Sequence, residues 1–176
     1  PWSQTIISHI MQKEYDRKDV SMNVEYMNIL TIETPEILNQ YKENLFSTYG
    51  NNPPKAVLML GNAPLILRDD MRRHWGDIPL IVCAESRYIG PDSTYMYNQI
   101  IPYKDRIYLK DLRNEYNMTF LAARAFIPES VQLLRRMIPK MKSLLLIGDQ
   151  TDRDIDYDQQ LSELINTEYT DINYKF

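Results

Sequence analysis

Apolar positions along the chain switch repeatedly between helical and strand-like spacing. Residues 3–15 carry apolar side chains at helical spacing and predict a first helix. Residues 20–30 alternate between apolar and polar side chains, which is typical of a strand. Thr34 and Pro35 form a capping threonine followed by a first-turn proline, and they predict a helix that reaches Tyr49.

The next segments alternate regularly between strand and helix patterns. Residues 56–60 and 78–84 are short apolar runs bounded by turn residues, as expected of strands buried on both faces. The remaining predictions are helices at 64–75, 128–141 and 153–167, and strands at 118–126, 143–147 and 171–176. This order predicts the α/β class, with a parallel sheet flanked by helices on both faces in three layers.

The pattern also suggests a domain organisation. Residues 85–117 are rich in tyrosine, proline and charge without a clear period, and we expect them to form a surface excursion. We predict that residues 1–126 form a first α/β lobe without its first strand, and that residues 127–176 begin a second, truncated lobe. Because Pro1 leads straight into a helix without an initiator methionine, we expect the chain to be excised from a longer protein.

Composition narrows the classes of function. The 176 residues carry a net charge of −4, so the long-range field repels nucleic acid and anionic lipid. A single cysteine excludes an internal disulfide and any multi-thiolate metal site. The sequence contains no glycine-rich dinucleotide fingerprint and no P-loop lysine motif, and neither His9 nor His74 lies near a serine or cysteine motif. We therefore expect no cofactor and no nucleophilic catalysis.

Polar residues follow the predicted strands and open the first helix. In an open parallel sheet, ligands bind beyond the carboxyl ends of the strands. The candidate ligand-binding residues are Trp2, Ser3, Asn62, Glu85, Ser86, Asp149 and Gln150. Together with the neighbouring Arg87 they offer an aromatic face, amides, hydroxyls, two carboxylates and a guanidinium, which suits a polar uncharged or zwitterionic ligand. The competing interpretation is that Gly61 and Gly148 only form turns and that Trp2 covers the edge of the core.

An acidic run near the end of the chain partly matches the pattern of a calcium-binding loop. Its members Asp152, Asp154, Asp156 and Glu163 occupy the first, third, fifth and twelfth positions of a calcium-loop pattern. Position six needs glycine and holds Tyr157, whereas acids at a helix N-terminus are favoured by the macrodipole. We predict no metal site, and calcium binding by this run stays an open alternative.

Several of these segments together resemble a known family. The resemblance rests on Pro1-Trp2-Ser3, the strand ends Leu60-Gly61-Asn62 and Ile147-Gly148-Asp149, the strand 78–84, and the phrase Asn117-Met118-Thr119-Phe120. They resemble the type I periplasmic-binding-protein fold and, more narrowly, the extracellular sensor regions of bacterial two-component histidine kinases, particularly the hybrid kinases of gut Bacteroidetes. In that family, two α/β lobes close on a small ligand, and the resemblance places Trp2, Asn62, Glu85 and Asp149 on loops that face the cleft.

The resemblance implies a noncatalytic sensor domain on the periplasmic or extracellular side of a bacterial inner membrane. Its ligand would be a small molecule such as a saccharide, its membrane attachment would come only from parent segments outside this chain, and it would form a homodimer. A periplasmic transport component is the alternative within binding proteins. An α/β enzyme acting on sugars or phosphate esters, with Glu85, Asp149 or Asp152 as its carboxylates, is the alternative from another class.

Overall fold

A computed structural model describes residues 2–15, 17, 21–28, 31–90, 102–148 and 151–176. The chain divides into two compact units, residues 1–31 and residues 32–176. In chain order the elements are α1 (Trp2–Tyr15), α2 (Pro35–Thr48), β1 (Val57–Leu60), α3 (Arg68–Trp75), β2 (Leu80–Ala84), β3 (Tyr88–Ile89), β4 (Ile107–Tyr108), α4 (Leu109–Leu112), β5 (Met118–Ala122), α5 (Ile127–Met137), β6 (Ser143–Leu145), α6 (Asp152–Glu168) and β7 (Asn173–Lys175). The 3₁₀ turns Ala63–Leu67 and Tyr103–Asp105 precede α3 and β4.

The first unit contains the predicted helix but not the predicted strand. Helix α1 spans the region in which apolar residues recur at helical spacing. Residues 21–28, within the predicted alternating strand, have no strand structure. The reason is physical: an alternating segment becomes a strand only when its backbone groups find a ladder partner. The strand prediction for these residues is therefore wrong.

The second unit is built on a parallel sheet, which confirms the α/β class. Its three strands lie in the order β1-β2-β5 and are joined by parallel ladders. Leu60 pairs with Cys83, and Ala84 pairs with Ala122, so the carboxyl ends of the strands lie at one edge. The helical arrangement on both faces and the likeness to type I binding proteins stay predictions.

Local signals place α2 where the sequence predicts it. Thr34 caps the helix by accepting a hydrogen bond from the Ile37 backbone N–H at 3.4 Å, and Pro35 occupies the first turn. At the other end of the helix, Phe46 is buried and stacks on His74 of α3, with ring centroids 4.6 Å apart. Lys42 reaches Asp70 of α3 at 2.8 Å. Helices α2 and α3 therefore pack side by side.

The three-stranded sheet has one buried face and one open face. The buried face carries Met59, Leu80, Val82, Ala84 and Met118. On the other face Leu58, Ile81 and Leu121 are 37%, 36% and 56% exposed. The prediction that β1 and β2 are buried on both faces is therefore wrong, because the described segments cover one face of these strands more completely than the other.

The segment between β2 and β5 contributes to the interior. Strands β3 and β4 pair antiparallel, with Ile89 opposite Ile107, and α4 follows directly. Ile89, Leu109 and Leu112 are buried. The predicted surface excursion thus contains a short ribbon and a helical turn that both help to form the core.

A second sheet and a second apolar cluster form the end of the chain. Strands β6 and β7 pair in parallel. The buried residues of the cluster are Val131, Met141, Leu161, Ile165 and Ile172, which come from α5, α6 and the segments beside the strands. The boundary predicted between residues 126 and 127, with two lobes on either side, stays a prediction.

Candidate functional site

The carboxyl end of β1 makes a turn that only glycine accommodates readily. Gly61 has φ +96°, a conformation that residues with a Cβ rarely adopt. Its N–H donates to the Cys83 carbonyl at 3.0 Å, which continues the β1–β2 ladder by one residue. A Cβ at Gly61 would lie 3.9 Å from the Glu85 carboxyl group. The turn therefore brings the ends of β1 and β2 close together.

The Asn62 side chain ties this turn to the loop after β2. Its Nδ2 donates to Ser86 Oγ at 2.6 Å and to the Tyr88 carbonyl at 3.3 Å, and its Oδ1 accepts from the Glu85 backbone N–H at 2.9 Å. Ser86 Oγ in turn donates to the Tyr88 carbonyl at 2.5 Å. Asn62 and Ser86 are both buried. These two side chains fix the loops, and their polar atoms find partners within the chain.

Among the candidate residues, Glu85 brings its carboxyl group close to the Gly61 turn. It is half-buried, and its carboxyl group lies over Gly61. Arg153 of α6 lies within electrostatic range of this carboxylate. The pKa of Arg153 is raised, chiefly by the hydrogen bond from its Nε to Asp154 at 3.0 Å and to a smaller extent by the charge of Glu85. The end of the sheet thus carries a carboxylate that could accept hydrogen bonds, and it interacts electrostatically with Arg153.

An ion pair between a buried carboxylate and a partly exposed guanidinium connects the β2–β3 loop to α6. Asp156 is 2% exposed. Its Oδ2 accepts from the Arg87 backbone N–H at 2.8 Å, and its Oδ1 accepts from Arg87 Nε at 2.9 Å. Arg87 Nη2 also lies 2.8 Å from Oδ1. Since the carboxylate binds both the backbone and the guanidinium, it fixes the position of the loop that carries Glu85.

A second ion pair, one helical turn earlier in α6, connects this helix to the residue before β4. Asp152 pairs with Arg106, whose side chain is 3% exposed. Asp152 and Asp156 are four residues apart and share a helix face. Thr151 caps α6 by accepting from the Asp154 backbone N–H at 3.4 Å. Because residues 152–168 are helical, the calcium-loop alternative is wrong: its acids form no loop, and two of them pair with arginines.

The opposite side of α6 holds the second sheet. Tyr174 of β7 donates its hydroxyl to Asp158 at 2.5 Å. Burial, the hydrogen bond and the charge of Asp158 raise the pKa of Tyr174 above its usual value. The protonated phenol is therefore favoured in the folded chain. Its contribution to stability is complete below the unfolded pKa of about 10 and is lost as the pH rises through the higher folded value.

We expect Tyr174→Phe to lower the free energy of unfolding by about 1 kcal/mol at neutral pH, because it removes the hydrogen bond to Asp158. The difference from the unchanged protein should shrink above about pH 10, since only the protein with Tyr174 gains stability from keeping the phenol protonated. Urea unfolding at a series of pH values measures both effects. A difference that stays constant at high pH would contradict the assignment.

The predicted site residues fall into three groups. Asn62, Glu85 and Ser86 come together at the carboxyl ends of β1 and β2. Trp2 and Ser3 begin α1 in the first unit. Asp149 and Gln150 lie outside the described residues, directly before the cap of α6. The candidate set is therefore grouped only in part, and its roles in ligand binding stay predictions.

Sequence reasoning assigned no partner to Arg87 and overlooked Arg106 altogether. The sequence offers three interpretations of these acids: Asp152 and Asp156 as members of a calcium loop or as acids at a helix N-terminus, and Asp152 as a carboxylate of an enzyme, but none of them pairs the acids with arginines. Their spacing of four residues was the available signal, because it places both carboxylates on one helix face. The identity of their partners could not be predicted, since Arg87 and Asp156 are 69 residues apart in the sequence.

Another concave surface lies between α2 and α3. This groove has a volume of about 570 Å³ and is lined by Asn39, Lys42, Glu43, Phe46, Ser47, Asp70 and His74. Its central groups already contact one another through the Lys42–Asp70 ion pair and the Phe46–His74 stack. The groove is therefore lined in part by groups that already have partners within the chain.

The described residues show no metal cluster and no membrane-spanning helix. Within the part of the chain that the structure describes, no three histidine, cysteine, aspartate or glutamate side chains are grouped so as to hold a metal ion. In the same ranges, no helix combines the length and the apolar character needed to cross a bilayer. Neither a protein-family model, nor a curated protein, nor a solved structure matches the chain.

Proposed function

We propose that the chain is a noncatalytic sensor domain of the type I periplasmic-binding-protein kind, with helices on both faces of its sheet. In this proposal it belongs to a bacterial two-component histidine kinase and lies on the periplasmic or extracellular side of the inner membrane. Its ligand is a small polar molecule, a saccharide being the best chemical match. The proposal combines the sequence resemblance with the chemistry at the carboxyl end of the sheet.

One observation carries the proposal of a ligand site. Asn62 and Asp156 hold the backbone of the Glu85 loop from two sides, and the half-buried Glu85 carboxyl group lies beside Gly61. Such a loop is positioned before any ligand arrives, which lowers the entropy cost of binding. Together with Arg153, the carboxylate offers an acceptor and donors to the hydroxyl groups of a sugar or to the charged groups of a zwitterion.

Signalling requires that the ligand favour one conformational state over another. A ligand that binds two states equally shifts nothing, however tightly it binds. In the proposed sensor, the ligand would favour a closed arrangement of lobes or one geometry of a dimer, and the kinase would respond to that change. A full-length gene with a membrane helix and a kinase domain supports this function, whereas a gene without them favours the transport component.

A thermal-shift screen tests the ligand site directly. We expect a monosaccharide or disaccharide from a defined panel to raise the melting temperature saturably, by about 5–10 °C at a hundredfold excess over its Kd. The variant Glu85→Gln should lose most of this rise, because the amide removes the charge and one acceptor. Glu168→Gln, an exposed change at the end of α6, is the matched control and should keep the rise.

Two results would count against the proposal. If every sugar and amino acid leaves the melting temperature unchanged, the ligand class is wrong. An equal rise in Glu85→Gln and in the unchanged protein would place the ligand elsewhere. Turnover of a sugar or a phosphate ester, lost on substitution of Glu85, would instead establish the enzyme alternative.

A further inference from the structure

Helix α5 carries two apolar stripes, and among the residues that the structure describes one stripe is buried and the other is exposed. Its inward stripe includes Val131, which is 2% exposed, and Leu134, which packs against the second apolar cluster. Its outward stripe comprises Phe126 immediately before the helix and Leu133 and Met137 within it. These three side chains are 59%, 57% and 70% exposed. Ile138, which follows the helix, is 52% exposed.

The outward stripe has the spacing of a helix-pairing seam. Phe126, Ser130, Leu133 and Met137 are separated by four, three and four residues, as are the core positions of a coiled coil. On this repeat, Glu129 and Arg136 occupy equivalent positions on one flank of the seam, seven residues apart. The helix therefore presents a short apolar seam with one acidic and one basic residue beside it.

From this pattern we propose that the α5 seam pairs with the same seam of a second copy of the chain, with the two helices antiparallel. In that orientation, equivalent flank positions of the two helices face each other, so Glu129 lies opposite Arg136 of the second copy and the pair occurs twice by symmetry. In a parallel pair these flanks would meet the positions of Ile127 and Leu134, which carry no charge. Charge complementarity thus favours a second copy of the chain as the partner and an antiparallel orientation of the two α5 helices.

The size of the seam determines the strength of the pairing. Three exposed apolar side chains supply on the order of 300 Å² per copy, well under half of the roughly 800 Å² per partner in a standard interface. The pairing is therefore weak and depends on concentration. Arg124, which pairs with Glu129 within the chain, can keep its contact because a carboxylate accepts several donors. The inference is independent of the proposed ligand site.

Sedimentation equilibrium of the whole chain, from low micromolar to several hundred micromolar, tests the pairing. We expect a monomer–dimer equilibrium that Leu133→Glu abolishes. Ile37→Glu, an equivalent change at an exposed apolar residue of α2, is the matched control and should leave the equilibrium unchanged. Because both side chains are exposed, circular dichroism should show that both variants remain folded.

A charge reversal separates this pairing from nonspecific adhesion. Glu129→Arg and Arg136→Glu should each weaken the dimer about tenfold, since each places like charges opposite each other in both symmetric pairs. The double variant should restore it. A chain that stays monomeric throughout overturns the proposal, as does a dimer that neither Leu133→Glu nor the charge reversals affect. Binding of the monomer to anionic phospholipid vesicles through this stripe would likewise assign it to a membrane instead.

Discussion

Replacing Asp156 with alanine is expected to lower the free energy of unfolding by about 3 kcal/mol, because it removes the carboxylate that accepts from both the Arg87 guanidinium and the Arg87 backbone N–H. Breaking a buried ion pair at one partner costs about 3–5 kcal/mol, and the lower end applies because the Arg87 side chain is 37% exposed. Urea unfolding measures the loss, and the melting temperature should fall by roughly 6–12 °C.

The control for Asp156→Ala lies on the same helix. Glu163 is exposed and accepts a hydrogen bond from Gln159 at 2.8 Å, so Glu163→Ala should cost no more than about 0.5 kcal/mol. The loss in the free energy of unfolding for Asp156→Asn should lie between those of Asp156→Ala and Glu163→Ala, because the amide keeps one acceptor for Arg87. A loss below about 1 kcal/mol in Asp156→Ala would contradict the structural role assigned to the ion pair.

The second large effect concerns Asn62. Asn62→Ala removes the acceptor of the Glu85 N–H and the donor to Ser86 and Tyr88, all within a buried network. We expect a loss of about 2–3 kcal/mol in the free energy of unfolding, since each buried group left without a partner costs about 1–3 kcal/mol and water can enter part of the space. Any rise in melting temperature caused by a sugar should also diminish, because the Glu85 loop loses one of its two anchors.

Asn117 provides the matched asparagine control for Asn62→Ala. Its side-chain amide also donates to a backbone carbonyl, that of Asp77 at 3.2 Å, but the residue is exposed. Asn117→Ala should therefore cost less than about 1 kcal/mol. Equal losses at the two asparagines, measured by urea unfolding, would show that burial of the Asn62 network contributes little.

Much of the parallel architecture could be predicted from the sequence because its signals are local. Thr34 and Pro35 announce α2 through cap chemistry, and the apolar run 56–60 falls on β1 because consecutive apolar residues between turns suit a parallel strand. The acids before and within the first turn of α6 likewise mark its start. Local spacing is therefore enough to predict an element whose ends are marked by capping or turn residues.

The burial of the strand faces and the long-range ion pair could not be predicted from the sequence, because neither depends on local spacing. Periodicity shows which positions are apolar but not what covers them, so the exposure of Leu58 and Ile81 could not be read from the runs that contain them. Asn62, Glu85 and Ser86 could be grouped because parallel strands end at one edge. The anchor at Asp156 could not, since an ion pair across 69 residues leaves no mark in local spacing.

The carboxylates of helix α6 contact two different parts of the second unit. Asp152 and Asp156 face the arginines beside β3 and β4, whereas Asp158 faces β7. Opening of β6 and β7 that displaces α6 must therefore also release Arg87. By linkage, a ligand that stabilises the Glu85 loop also lowers the population of this open state. The amide proton of Leu146, which is bonded to the Lys175 carbonyl at 2.9 Å, would then exchange with solvent more slowly, so a distant amide reports on the sheet end.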